Sequence, residues 1–302
     1  IFNTVALQGS VFSKRTGTPS GFDDIALADA AFSEVGVPMG ERVYLASPRV
    51  ANAMAGNLAS RATDNSRDRD AYANARINSD IAGFDVLKND LTIRLTAATG
   101  GAILVNGADQ YREPAATSTA ATGEVENVDN RYSDLVVDGG TYANIKAGDA
   151  FTIAGVNSVH AITKEDTGQL QTFRVISKPA ANTIRIAPAI ISNGGNTRAG
   201  KELQNVTATP ADNAPLTWLN TTTAELNPFF MKGAVLLVPG SYAVDPEDGW
   251  QVMRARTDLG IGLTYTRQGE INDLSVKVRW ELDFGTSLTN PQMAGVQMFG
   301  QA

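Results

Sequence analysis

The chain carries a single histidine, His160, and no cysteine. Any Ser–His–Asp relay would have to run through that one imidazole. Thiol catalysis, zinc–thiolate sites, iron–sulfur clusters and disulfide frameworks are excluded, and so is a metal site built from several histidines. His160 lies in an apolar, strand-like run, Val159-His160-Ala161-Ile162, where a structural or surface role is the ordinary outcome. Paired acids for glycoside hydrolysis could be sought in Asp245, Glu247 and Asp248. They fall in a Pro-Glu-Asp-Gly turn, which normally leaves carboxylates solvated. Gly260-Ile261-Gly262 is a fragment of a dinucleotide fingerprint without its third glycine or a following helix. Asp64, Asp68 and Asp70 crowd together as in a calcium loop, yet Arg69 stands where that loop needs glycine. A solvated helix end or surface loop fits residues 62–80 better. Asn205-Val206-Thr207 and Asn220-Thr221-Thr222 match the glycosylation pattern, which means little without a secretory signal. These residues point to no catalytic, cofactor-binding or metal site, and no cofactor is expected.

Chemistry of another kind is concentrated in residues 107–131. This stretch is polar, has Tyr111 as its one aromatic, and carries Asp109, Arg112, Glu124, Glu126, Asp129 and Arg131. A loop of about 25 residues is too long for a plain connector, so it is functional or disordered. Two readings stand side by side. It is either a floppy excursion or an arm that reaches a neighbour, its charges setting register and specificity more than affinity.

The elements that would position such an arm can be read from periodicity. Phe22, Ile25, Ala28, Phe32 and Val35 share one helical face, with Asp23 and Asp24 in the first turn and Gly36 and Pro38 as the stop. Arg42–Ala46 reads as a strand. Ser47-Pro48 offers an N-cap and a first-turn proline to a helix carrying Val50, Met54 and Leu58. From residue 97 the character changes to short β-like runs broken by Gly-rich turns: 102–105, 135–138, 151–156, 172–177 and 183–187, with 158–163 as a sixth candidate. That spacing predicts a small antiparallel barrel or sandwich. Residues 208–227, rich in Thr, Asn, Ala and Pro, read as a return linker. Further on, Val276, Val278, Trp280, Leu282 and Phe284 alternate with charged residues, which predicts a long half-buried strand. Leu259, Ile261, Leu263 and Tyr265 predict its hairpin partner, with residues 267–273 between them. Ala234–Val238 is a further buried strand.

Composition bounds the function. At 302 residues the chain has room for two domains, or for one domain with a large insertion. The net charge of −7 argues against a dedicated DNA binder, whose affinity comes from cations on phosphates. No apolar run is long enough to span a membrane as a helix. Charged residues make up only 19%, which suits surfaces covered by neighbours. The start, Ile1-Phe2-Asn3, reads as the cut end of a longer chain.

Several segments, in order, resemble the major capsid (coat) proteins of short-tailed double-stranded DNA phages that carry an insertion domain. They are Ile81-Ala82-Gly83-Phe84-Asp85, Thr96–Gly100, Val128–Tyr132, Lys146–Asp149 leading into Phe151–Val156, Asn227-Pro228-Phe229-Phe230, Thr266–Ile271 and Asn290–Val296. The resemblance implies an α+β fold of the Hong Kong 97 capsid type with an inserted antiparallel six-stranded β-barrel. Residues 1–96 would hold the end of the spine region and the first part of the axial domain. Residues 97–227 would be the insertion, and 228–302 the return to the axial domain plus a peripheral-domain hairpin. The family's N-terminal arm and extended loop would be absent from this chain. Loop 107–131 would cross to a neighbouring capsomer, and no catalytic residue is implied. The expected function is an icosahedral shell of hexamers and pentamers around packaged DNA. Its partners would be copies of itself, a scaffolding protein and a portal, in the virion after assembly in the bacterial cytoplasm. The rival readings are another virion structural protein, such as a tail tube or decoration protein, and an acid-catalysed polysaccharide enzyme using Asp245 or Glu247.

Overall fold

The computed structural model describes residues 2–61, 81–240 and 251–302, with side chains through Gly56 in the first stretch. The cluster around Asp64, Asp68 and Asp70, the acids Asp245, Glu247 and Asp248, and the side chain of Leu58 lie outside the described residues. The chain divides into two compact units, one formed by Phe2–Ala234 with Leu288–Ala302 and the other by Val235–Ser287.

In the first unit, α1 (Phe2–Gln8) and β1 (Val11–Lys14) lead into α2 (Phe22–Val35). The helix begins where Gly21 turns the backbone at φ 125°, a conformation glycine adopts freely. Asp24 reaches back over that turn. Its Oδ2 accepts the backbone N–H groups of Ser20 at 2.6 Å and Gly21 at 3.2 Å, and its Oδ1 accepts from Arg15 Nε at 2.7 Å. The acid thus satisfies open donors as well as complementing the helix dipole. Ile25, Ala28 and Phe32 are buried as their spacing predicts, while Phe22 stays half exposed. Gly36 closes the helix at φ 87°, with Val37 N–H donating to the Phe32 carbonyl at 2.9 Å.

Strand β2 (Arg42–Ala46) runs into α3 (Pro48–Arg61). Ser47 holds the cap position, and its carbonyl accepts from Ala51 N–H at 2.8 Å. Its buried hydroxyl, however, makes no hydrogen bond, so the expected side-chain cap is not made. The backbone N–H of Ser47 donates instead to Asn227 Oδ1 at 2.9 Å.

A five-stranded sheet in the order β1, β19 (Ala294–Met298), β14 (Asn227–Met231), β2, β3 (Phe84–Lys88) backs these helices. The pairs β1–β19 and β2–β3 are parallel, and the two inner pairs are antiparallel. Phe32, Tyr44, Phe84 and Phe229 form its aromatic centre, with ring centroids from 4.8 to 6.3 Å apart. Such offset and edge contacts add to the area that the rings bury.

The chain leaves this body at β4 (Arg94–Leu95) and returns at β13 (Ala224–Glu225), two antiparallel partners. Between them lies an antiparallel six-stranded sheet, in the order β12 (Leu216–Trp218), β9 (Ala150–Val159), β10 (Asp166–Ala180), β11 (Thr183–Ala187), β8 (Ser133–Gly139), β5 (Ile103–Val105). Alternate residues such as Leu135, Val137, Phe151, Ile153, Phe173 and Val175 point into one core. The sheet nearly closes on itself. Leu104 bridges Pro215, Val105 N–H donates to Ala214 at 3.0 Å, and Asn213 N–H donates to Val105 at 2.8 Å. Closure removes the open edges that would invite aggregation. A short α4 (Arg198–Leu203) follows, capped by Thr197.

Six strands form as the spacing predicts, but the sixth is not at 158–163. Ser158 and Val159 end β9, and residues 160–165 form a turn closed by His160 N–H on the Glu165 carbonyl at 3.0 Å. The sixth strand is Leu216–Trp218, inside the stretch read as a linker. Three residues give a single period of alternation, too little to register as a pattern. Their strand character comes from pairing with β9. The two glycosylation-pattern asparagines are structural. Asn205 accepts Ile191 N–H at 3.0 Å and donates to the Ala189 carbonyl at 2.7 Å. Asn220 accepts Ala150 N–H at 3.1 Å and donates to Asp149 Oδ1 at 2.9 Å, fully buried.

The second unit is a four-stranded sheet, in the order β15 (Val235–Pro239), β18 (Ser275–Leu288), β17 (Gly262–Glu270), β16 (Gln251–Arg256). The predicted hairpin forms with Tyr265 opposite Trp280, and pairing persists to Glu270–Ser275, leaving a shorter turn than 267–273. The apolar row is not buried as expected, and on β18 Lys277, Arg279 and Asp283 of the other face are exposed as well. Thr264 and Thr266 are buried, whereas Val276, Val278, Trp280, Leu282 and Phe284 are about half exposed or more, Trp280 at 64%. Alternation reports that two faces differ. It does not report which face a single chain covers.

Candidate assembly interface

Residues 107–131 are ordered as a projecting arm with a firmly seated root. Gly107 N–H donates to Asp212 Oδ1 at 2.7 Å. Gln110 lies along the edge of β8, accepting Val136 N–H at 2.6 Å and donating to Asn106 O at 2.7 Å. Arg112 N–H donates to the Ile190 carbonyl at 2.6 Å, and the Tyr111 ring packs against the barrel core. Higher up, Asn130 clamps the two legs of the arm. Its amide donates to Ala115 O at 2.8 Å and accepts from Ala115 N–H at 3.3 Å. The tip is a hairpin of β6 (Thr117–Thr119) and β7 (Val125–Asn127), every residue exposed. It turns through Gly123 at φ 89°. At about 3.4 Å per residue the arm extends roughly 20 Å beyond its clamp.

The six charged residues singled out from the sequence divide by height. Asp129 and Arg131 meet at the root, where Oδ1 accepts from Nε at 2.9 Å and Oδ2 from Nη2 at 2.6 Å. Arg131 also donates to the Leu288 carbonyl at 2.8 Å and covers the Tyr132 ring at 5.1 Å. The hydrogen bond from Arg131 holds the Asp129 carboxyl below the usual range, and the same bond raises the guanidinium. Arg112 donates to the Asp129 carbonyl at 3.3 Å, while its buried Nε has no partner. Among the described residues, Asp109, Arg112, Glu124 and Glu126 form no ion pair. Below the arm runs a groove of about 550 Å³ lined by Gln8, Arg112, Ser118, Asp129, Tyr132 and Arg185. Arg185 is bound to Asp134 there at 2.7 and 2.9 Å, a bond that raises the Arg185 guanidinium further.

An isolated two-stranded hairpin is marginal in water, and this one buries nothing of its own. Exposed ion pairs contribute only about 0–1 kcal/mol. The tip is therefore a low-stability element on a rigid root, the state from which contact elements are drawn. Sequence reasoning found the arm and its charges but missed Gln110, Tyr111 as an anchor, and the Asn130 clamp. Nothing in a lone Gln or Asn announces a tertiary bond.

Among the described residues, no three acidic or histidine side chains gather as a metal would require, and no helix is long and apolar enough to cross a membrane. What remains is a body, a nearly closed barrel and an exposed charged arm. A family model described as "P22 coat protein - gene protein 5" matches residues 1–300. The chain belongs to the P22 coat protein family. A solved structure, "CUS-3 coat protein I-domain", is 36% identical in sequence, matching 41% of this chain and 99% of its own length, with a TM-score of 0.31. Membership makes this a phage capsid protein, a structural component of the virion.

Proposed function

We propose that copies of this coat protein self-assemble into an icosahedral shell of hexamers and pentamers that encloses packaged double-stranded DNA, on the Hong Kong 97-type plan. The family match over residues 1–300 carries this reading. Each contact can be modest, because many contacts per subunit add up in a closed lattice, and closed symmetry ends growth. A subunit of net charge −7 lines such a shell without clamping its contents. Under the same reading, residues 1–96 and 228–302 supply the axial and peripheral parts and residues 97–227 the insertion. A scaffolding protein and a portal join the copies during assembly in the bacterial cytoplasm.

The arm is assigned to bridging capsomers. Its exposure and the absence of ion pairs to Asp109, Glu124 and Glu126 among the described residues support this, with Arg112, Asp129 and Arg131 fixing the root. Sedimentation with electron microscopy of the chain under assembly conditions tests the shell. Closed megadalton particles are expected, and a persistent 31.9 kDa monomer speaks against it. Simultaneous charge reversal at Asp109, Arg112, Glu124 and Asp129 tests the arm. Particle yield should fall while monomer melting stays nearly unchanged, and normal yield overturns the bridging role.

A further inference from the structure

The one histidine sits at the far end of the β9–β10 hairpin, where the barrel touches the body. Its Nδ1 accepts two backbone N–H groups, those of Ile162 and Thr163, each at 3.3 Å. An imidazole that accepts at Nδ1 is neutral, with its proton on Nε2. The ring lies directly on the cap of α2, since a Cβ at Gly36 would come within 2.8 Å of Nε2. The next residue, Ala161, donates its N–H to the Val35 carbonyl at 2.9 Å. The hairpin is fastened a second time near its base, where Thr172 Oγ1 donates to the Ser10 carbonyl at 2.7 Å and accepts Phe12 N–H at 3.2 Å. Between the two attachments a cavity of about 300 Å³, lined by Leu27, Glu34, Ser158 and Leu170, separates the hairpin from α2. The tip contact is thus held by the turn itself.

We propose that this turn is a latch between the barrel and the body, shut by the neutral imidazole of His160 and released when the ring is protonated. A proton on Nδ1 turns the acceptor into a donor facing two N–H groups, and the turn that presents Ala161 to Val35 loses its internal support. The charged side chains around this contact are Glu34 beside Val35, Lys164, Glu165 and Asp166 after the ring, and Lys14, which lines the adjoining cavity with Glu34. Lys164 donates to the Gln204 carbonyl at 3.1 Å.

The chain has no cysteine, so labels can be placed at Glu34→Cys and Thr163→Cys in the full-length protein and their separation followed from pH 8 to pH 5. Being unique, the His160 ring signals report its own titration in the same sample. We expect the label distance to lengthen or broaden with that titration, and Ala161 amide exchange, corrected for intrinsic rate, to quicken roughly tenfold, the scale of one lost neutral hydrogen bond. In His160→Asn the side-chain oxygen can still accept from the turn but does not titrate, so the latch should stay shut throughout. Three outcomes overturn the proposal: His160 titrating while the distance holds, His160 remaining neutral to pH 5, or the Asn variant opening as readily as the parent.

Discussion

Among the described residues, two arginines of the first unit are fully buried, and they are held on different terms. Arg42 donates from Nη2 to the Val37 carbonyl at 2.6 Å and from Nε to Pro38 O at 3.1 Å, pairs with Asp29, and lies against the Phe32 ring at 5.5 Å. Arg174 donates one bond, to the Ala6 carbonyl at 2.8 Å, and leaves Nε and Nη1 without partners. Burial pushes its guanidinium down to about 10, against the opposing pull of Asp149. Removing one partner of a satisfied buried pair costs several kcal/mol, whereas replacing a poorly compensated charge by an apolar side chain is often neutral. Arg42→Met should therefore lower unfolding free energy by about 3 kcal/mol, and Arg174→Met by less than about 1 kcal/mol, read from denaturant midpoints. The Tyr44 phenol is the matching case at alkaline pH. Burial, then the charge of Asp24, raises it well above 10. The unfolded chain ionises first, so stability present below pH 10 is lost as pH rises past it. The phenolate absorbance that Tyr44→Phe removes should appear only with unfolding, and that variant should flatten the alkaline loss. The same variant should cost about 1–2 kcal/mol at pH 7, because Gln297 Oε1 loses its donor.

At the scale of elements, the barrel and the arm make opposite predictions. The barrel closes its core with its own strands, so residues 97–227 alone should give a β-rich spectrum and a cooperative melt; a disordered spectrum would refute its independence. The arm depends on Asp129, whose carboxyl is held low by Arg131. Its contribution is present above the ordinary carboxylate range and fades as pH falls through the lowered value. Asp129→Asn should raise amide exchange across residues 115–130 at neutral pH while leaving the barrel melt within about 0.5 kcal/mol. Much of this was legible beforehand. The α2 face, its acidic first turn and glycine stop, β2 and five barrel strands follow from local periodicity, because those residues answer mainly to their own neighbours. Leu216–Trp218 was not legible, being three residues made a strand by β9, nor was the clamp by Asn130, whose partner lies fifteen positions away. The arm's charges were visible as types. Which of them pair and which stand free is a tertiary fact.

For the whole molecule, the row from Val276 to Phe284 is an exposed apolar surface among the described residues. Contiguous apolar patches of this kind mark contact sites on proteins that do not stay alone. In the dispersed chain, a variant retaining Trp280 as its one tryptophan should be strongly quenched by acrylamide, and the protein should bind an apolar dye. Full protection of Trp280 in the monomer would show that the row is covered within one copy. Alternation locates this row but carries no label for the neighbour that does the burying.

The order of the body sheet also fixes a sequence of events during synthesis. Strand β19 lies between β1 and β14, so β1 cannot join the sheet until residues 294–298 exist. By then the last barrel strand, Leu216–Trp218, has long since left the peptidyl-transferase centre. At about 5–20 residues per second, several seconds pass between the two. The segment made in the middle of the chain is thus free to fold while its host is still open. All the barrel strands are made before the body sheet can be completed, and a ribosome paused near residue 280 would carry a barrel free to fold beside an unclosed sheet.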